Sequence, residues 1–224
     1  MKTIWRENPR GSKYWPSEKA RDAEKALGIT RIYYPTHMKD PNTGKFVENT
    51  IEMNAQFCTD ISTRFEFGIY EHTDGWGLPA TAQAIVDRMD KYFKMCGKVK
   101  GVMFNIETHN INDLIINIIA LWRQKHPTGP IAWAMEGFQG GWMNQAMINK
   151  VNNDTNMVVV PENFDGNMNP LAPRNGVTPK QELIKLGFAS NRVKEFYDGK
   201  LVDQYKASWD GCILSEERLP TYNS

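Results

Sequence analysis

Asn105 and Glu107 close the stretch Gly101-Val102-Met103-Phe104-Asn105-Ile106-Glu107, and their types and spacing suit the handling of a proton. In an extended chain successive side chains point to opposite faces, so Asn105 and Glu107 share one face roughly 7 Å apart while Val102, Phe104 and Ile106 take the other. A carboxyl group at the mouth of a buried strand can give or take a proton, and an amide beside it can hydrogen-bond a polar ligand. The pattern recurs: apolar runs that end on an acid lie at Phe65 to Glu71, Pro130 to Glu136, Met157 to Glu162, Val193 to Asp198 and Cys212 to Glu216. In a parallel barrel the carboxyl ends of the strands converge, so Glu71, Glu107, Glu136, Glu162, Asp198 and Glu216 are expected to ring one pocket. Such a ring serves glycoside hydrolysis, in which one carboxyl group protonates the leaving oxygen. A second charge, or the substrate's own acetamido group, then stabilises an oxocarbenium-like centre. It also serves divalent-metal binding, with neutral histidine sharing the ion.

The elements that must hold such a ring are legible along the chain. Short apolar runs alternate with 3.6-residue stripes from end to end, which predicts a parallel sheet with crossover helices. Strands are expected at 2–6, 29–35, 65–71, 100–107, 130–136, 157–162, 192–197 and 211–215. Eight of them predict an α/β fold, a single (β/α)8 TIM-like barrel spanning residues 1–224. An incomplete or distorted barrel is the alternative, because residues 1–16 read as an extended arm and 200–209 make a poor helix. Ser17 caps a helix that stops at Gly28, and Ala82, Ile85, Val86, Met89, Phe93 and Cys96 form a stripe that stops at Gly97. Ile115, Ile118, Ile119 and Trp122 form another stripe, and Thr178-Pro179-Lys180-Gln181 reads as a capping box whose helix closes at Gly187. Residues 39–45 read as a hairpin and 163–177 as a long ordered loop, both on the functional face. Trp133 shares a face with Ile131 and Met135 and belongs to the core. Trp76 and Trp142 sit in glycine-rich loops, where an aromatic plate can stack on a sugar ring.

The 224 residues carry 27 Lys and Arg against 26 Asp and Glu, a formal charge of +1. That balance offers no field for nucleic acid or an anionic membrane, and a neutral or mixed substrate fits it better. Cys58, Cys96 and Cys212 have no metal-site spacing and read as reduced thiols. The opening residues lack the apolar core of a signal peptide, and no run approaches a membrane span, so the expectation is a soluble protein made in a cytoplasm or borne by a phage, in the particle or released by lysis. Glycine-rich phosphate loops, a serine nucleophile elbow and a Cys-His pair are not recognisable, and no cofactor is expected.

The fourth expected strand resembles the fourth-strand signature of family 18 glycoside hydrolases, the chitinase group, which reads Asp-Gly-apolar-Asp-apolar-Asp-apolar-Glu. Gly101 matches its glycine and Glu107 its terminal proton donor, whereas Lys100, Met103 and Asn105 stand where the three aspartates would be. Pro161-Glu162-Asn163-Phe164-Asp165 is similar to the family's sixth-strand Met-x-Tyr-Asp, with Phe164 in place of the phenol. An Asp-x-Glu strand end also occurs in the family 25 lysozymes, whose barrels are similar to this chain in size. The resemblance implies a barrel that meets an N-acetylated amino-sugar polymer such as chitin or peptidoglycan. On that reading Glu107 is the general acid, Asn105 the acetamido contact, Glu162 and Asp198 candidates for the second charge together with Glu136, and Trp76 and Trp142 the walls, with Glu71 and Glu216 completing the substrate-binding ring.

Two alternatives stay open at this point. An amide at Asn105 can hydrogen-bond an acetamido group but cannot supply the negative charge that stabilises an oxazolinium-like intermediate, so a non-catalytic carbohydrate-binding or structural barrel competes. His37, His72 and His109 follow the second, third and fourth strands, which leaves a divalent-metal barrel of the sugar-isomerase kind as the third reading.

Overall fold

The computed structural model describes residues 2–5, 22, 25–26, 28–39, 43, 46–48, 66–72, 81–97, 99–165, 169–198 and 212–214. Its strands are β1 (Lys2–Trp5), β2 (Ile29–Pro35), β3 (His37–Lys39), β4 (Phe46–Glu48), β5 (Glu66–His72), β6 (Val99–Asn105), β7 (Ile131–Met135), β8 (Met157–Pro161), β9 (Phe196–Asp198) and β10 (Cys212–Leu214). The helices are α1 (Ala82–Cys96), α2 (Asn112–Lys125), α3 (Gln145–Asn153) and α4 (Pro179–Leu186). One sheet runs in the order β8-β7-β6-β5-β2-β1-β10-β9, and each neighbouring pair is parallel. β3 and β4 form a separate antiparallel ribbon after β2, the hairpin expected at 39–45. The architecture is α/β, with a parallel sheet curled as in a TIM-like barrel.

Local chemistry explains where the helices begin and end. Thr81 Oγ1 accepts the Ala84 amide at the start of α1, and Gly97, at φ 61°, ends the helix in a left-handed turn that suits a residue without Cβ. Asn144 caps α3 in the same way, through the Met147 amide. α4 carries the full capping box, with Thr178 accepting from Gln181 and the Gln181 side chain accepting from Thr178, and Gly187 closes it. Losing such a cap costs about 1 kcal/mol. α2 lacks a side-chain cap, yet it places Asp113 in its first turn and Arg123 and Lys125 in its last, which complements the helix dipole.

Two apolar layers follow from strand alternation. Val102, Phe104 and Ile106 of the β6 segment join Ile131, Trp133 and Met135 of β7 in the layer beneath the helices, where Phe104 meets Trp122 edge-on. Met103, Ala132, Ala134 and Val160 face the other way, into the curl of the sheet, with Tyr33, Phe164 and Phe196. That inner space also holds Arg31, 3% exposed, which hydrogen-bonds Tyr33 and pairs with Glu66. Burial opposes its charge, but the contacts with Tyr33 and Glu66 outweigh burial and hold its pKa above the ordinary value. Two glycines make room there. A Cβ on Gly101 would lie 3.1 Å from the Arg31 guanidinium, and one on Gly68 would lie 2.5 Å from the Tyr33 ring.

Two strand boundaries differ from expectation. The seventh expected strand begins at Phe196 rather than at residue 192, because Ser190–Arg192 winds into a 3-10 turn in which the Arg192 amide reaches the Ala189 carbonyl at 2.8 Å. β6 ends at Asn105, although Ile106 still donates to the Ala134 carbonyl at 3.0 Å, so Glu107 stands just beyond the ladder.

Candidate active site

Glu107, Glu136 and Glu162 follow the carboxyl ends of three adjacent strands, β6, β7 and β8, and line one cleft of about 390 Å³. The convergence follows from the parallel register, which sets Asn105 opposite Ala134 and Met135 opposite Pro161. Asn105 is fully buried, and its Nδ2 donates to Glu107 Oε1 at 2.9 Å. The shared face read from alternation is thus realised as a direct contact. Phe138, Phe164 and Leu171 supply apolar wall, and Asp165 and Arg174 add charge.

The loop from β7 to α3 is stitched by a ring of contacts that returns to its starting residue. Gln139, 1% exposed, donates from Nε2 to the Glu136 carbonyl and accepts at Oε1 from the Trp142 indole N–H at 3.2 Å. The Trp142 ring stacks on His109 at 5.9 Å between centroids, and His109 Nε2 lies 3.2 Å from Glu136 Oε2. Both the carbonyl and the carboxylate of Glu136 are therefore held. The Glu182 carboxylate of α4 accepts the Gln139 amide at 2.7 Å, which ties the same loop to the next helix. Gly137 is obligatory at its position, since a Cβ there would stand 2.5 Å from the Glu162 carbonyl oxygen and 2.3 Å from Leu171 Cδ1.

The remaining expected residues fall into three groups. Trp142 is half-buried, meets Trp133 edge-on at 6.4 Å and supports the loop rather than lining the cleft. Trp133 is buried as expected, its indole donating to the Ile106 carbonyl at 3.1 Å. The backbones of Glu71 and Asp198 lie at the carboxyl ends of β5 and β9, where Glu71 pairs with Phe104 and Asp198 with Leu214, and their side chains lie outside the described set. Trp76, Glu216, Ser17, Cys58 and the segment 200–209 lie outside the described residues. The backbone of His72 pairs with Asn105, and that of His37 lies opposite Glu48. Among the described residues no three His, Cys, Asp or Glu side chains gather to hold a metal ion. No described helix is long and apolar enough to cross a membrane.

Residues missed in the sequence are Gly137, Phe138, Gln139 and Arg174. The Asn175-Gly176 pair that turns the chain beside Arg174 was a readable hairpin signal.

No family model matches the sequence, and no curated protein matches it either. Solved structures do. The active domain 2 of a thermostable chitinase from Pyrococcus furiosus, solved as catalytic-site mutants with chito-oligosaccharides, is similar with a TM-score of 0.63 at 10% identity, over 95% of this chain and 82% of that one. The fold is one that this chain shares with chitinase catalytic domains. A chitinase from Rhizomucor miehei is similar with a TM-score of 0.62 at 8% identity, over 88% of this chain and 68% of that one. N-acetylneuraminate lyase from Aliivibrio salmonicida is also similar, with a TM-score of 0.50 at 10% identity over 99% and 71%. At such identities the likeness establishes the fold alone.

Proposed function

We propose that this chain is a glycoside hydrolase-like barrel, its sheet closed as a complete (β/α)8, that binds and hydrolyses an N-acetylated amino-sugar polymer of the chitin or peptidoglycan kind. The observation that carries the reading is the meeting of Glu107, Glu136 and Glu162 in one cleft, with the buried Asn105 amide donating to Glu107. Glu107 is the proton donor to the leaving oxygen. Asn105 orients the Glu107 carboxyl group. Glu136, Glu162 and Asp198 are the candidates for the second charge, and Glu71, Glu216 and Trp76 extend the sugar-binding ring, with Trp142 holding its wall. Glu107→Gln should lower hydrolysis of chito-oligosaccharides by about 10²–10⁴-fold while leaving their binding nearly intact. Equal turnover in the variant and the parent removes the assignment.

A second reading is favoured by Asn105 itself. An uncharged amide stands where the family signature has an aspartate, which fits a barrel that holds the glycan without cleaving it. Asn105→Asp separates the two: a gain of hydrolysis marks a weakened enzyme, whereas unchanged binding with no hydrolysis marks a binding barrel.

A further inference from the structure

We infer that Arg174 anchors an acidic substituent, so that the cleft takes an amino-sugar chain carrying a carboxylate on some of its rings. The inference rests on the sugar-binding reading above and goes beyond it by naming the residue that selects a carboxylated chain over a neutral one. Arg174 is presented on a rigid support. Its amide donates to the Val177 carbonyl and the Val177 amide donates back, both at 3.0 Å, and the two residues between them, Asn175 and Gly176, have φ of 51° and 74°. A two-residue turn with both central residues left-handed is stiff and is favoured by the sequence Asn-Gly. The guanidinium then lies over the Phe138 ring at 4.3 Å, and both side chains line the cleft with the three glutamates.

This cation keeps its fork of N–H groups available. Glu107, Glu136, Glu162 and Asp165 line the same cleft, yet among the described residues Arg174 forms no ion pair with any of them. A planar guanidinium fixed on an aromatic plate matches a carboxylate with two parallel hydrogen bonds. Attraction at one point fixes the phase of the polymer. A chain of identical neutral rings can slip by one ring without changing its contacts, whereas a chain with a carboxylate on alternate rings seats in one register relative to Glu107.

Calorimetric binding of two tetramers of equal length tests this. One is β-1,4-linked N-acetylglucosamine, and in the other alternate rings carry a 3-O-lactyl ether carboxylate. The parent should bind the carboxylated tetramer about tenfold more tightly, with the preference shrinking as salt rises. Arg174→Met should lower affinity for the carboxylated tetramer about tenfold more than for the neutral one, and Arg174→Lys, which keeps the charge without the fork, should retain part of the preference. Equal affinity of the parent for both tetramers, or equal weakening of both in Arg174→Met, overturns the anchor while the sugar-binding reading stands. Failure of the parent to bind either tetramer overturns both.

Discussion

Near the amino ends of β7 and β8, Arg123 gives Nε and Nη2 to the two oxygens of Asp154 at 2.7 and 2.9 Å, and Nη1 to the carbonyls of His126 and Gly129. Close by, Asp90 of α1 collects Lys94 at 2.7 Å, His126 at 2.9 Å and Lys125 at 3.3 Å. At the carboxyl ends of the same strands the acids stand around a cleft, and Arg174 pairs with none of the described ones. The same residue types are locked together at one end and arrayed around a concave space at the other. Paired charges thus brace the end where the helices stop, while the acids of the other end line a concave space.

The largest contrast should come from setting Glu107→Gln against Arg123→Ala. The first removes turnover and leaves thermal unfolding close to that of the parent. The second strands the Asp154 carboxylate and two carbonyls, costs about 3 kcal/mol and lowers the melting temperature by roughly 6–12 °C, with chito-oligosaccharide binding retained in the folded protein. Loss of binding in Arg123→Ala would mean that the two ends are coupled. Gly137→Ala should cross the divide, because its Cβ presses on the backbone of the β8 end. It should cost about 2 kcal/mol in chemical denaturation and also weaken glycan binding through displacement of Glu162. Gln139→Leu should cost about 1 kcal/mol, accelerate hydrogen exchange at the Trp142 indole and raise KM more than it lowers kcat; an unmoved indole would separate Gln139 from the wall.

The smallest effect concerns pH. Burial alone would push the Asp90 carboxyl up, but hydrogen bonds from Lys94, His126 and Lys125 outweigh it and hold the group below the usual carboxylate range. Its folded value is therefore lower than its unfolded one. The stability it contributes is fully present above the unfolded value of about 4 and is lost as pH falls through the lower folded value. Asp90→Asn should flatten that acid limb of the unfolding curve; an unchanged slope would show that the cluster adds nothing to folding.

How much was legible in the sequence follows the range of the interactions. Strand order of hydrophobicity placed all eight strands of the large sheet, since alternation is a local property, and the caps at Gly97, Thr178 and Gly187 were readable because each is built from residues within a few positions of one another. That Asn105 and Glu107 share a face was readable for the same reason. The rest of the cleft depends on contacts across the chain: Gly137 is required by the Glu162 carbonyl and Leu171, and Gln139 by Glu182. Trp142 was read as an open plate from its glycine-rich loop. His109 instead stacks on the ring, Trp133 meets it edge-on and Gln139 accepts the indole N–H, a use of the ring that no local pattern announces.

The glycines facing Arg31 and Tyr33 bind four positions into two lock-and-key couples, 31 with 101 and 33 with 68. Neither member of a couple can drift alone without leaving a void or a collision. In any lineage derived from this chain, an aliphatic side chain at position 31 should travel with a bulkier residue at 101, and a small one at 33 with a bulkier residue at 68. Anyone grafting a new catalytic mouth onto this scaffold should transplant those couples intact.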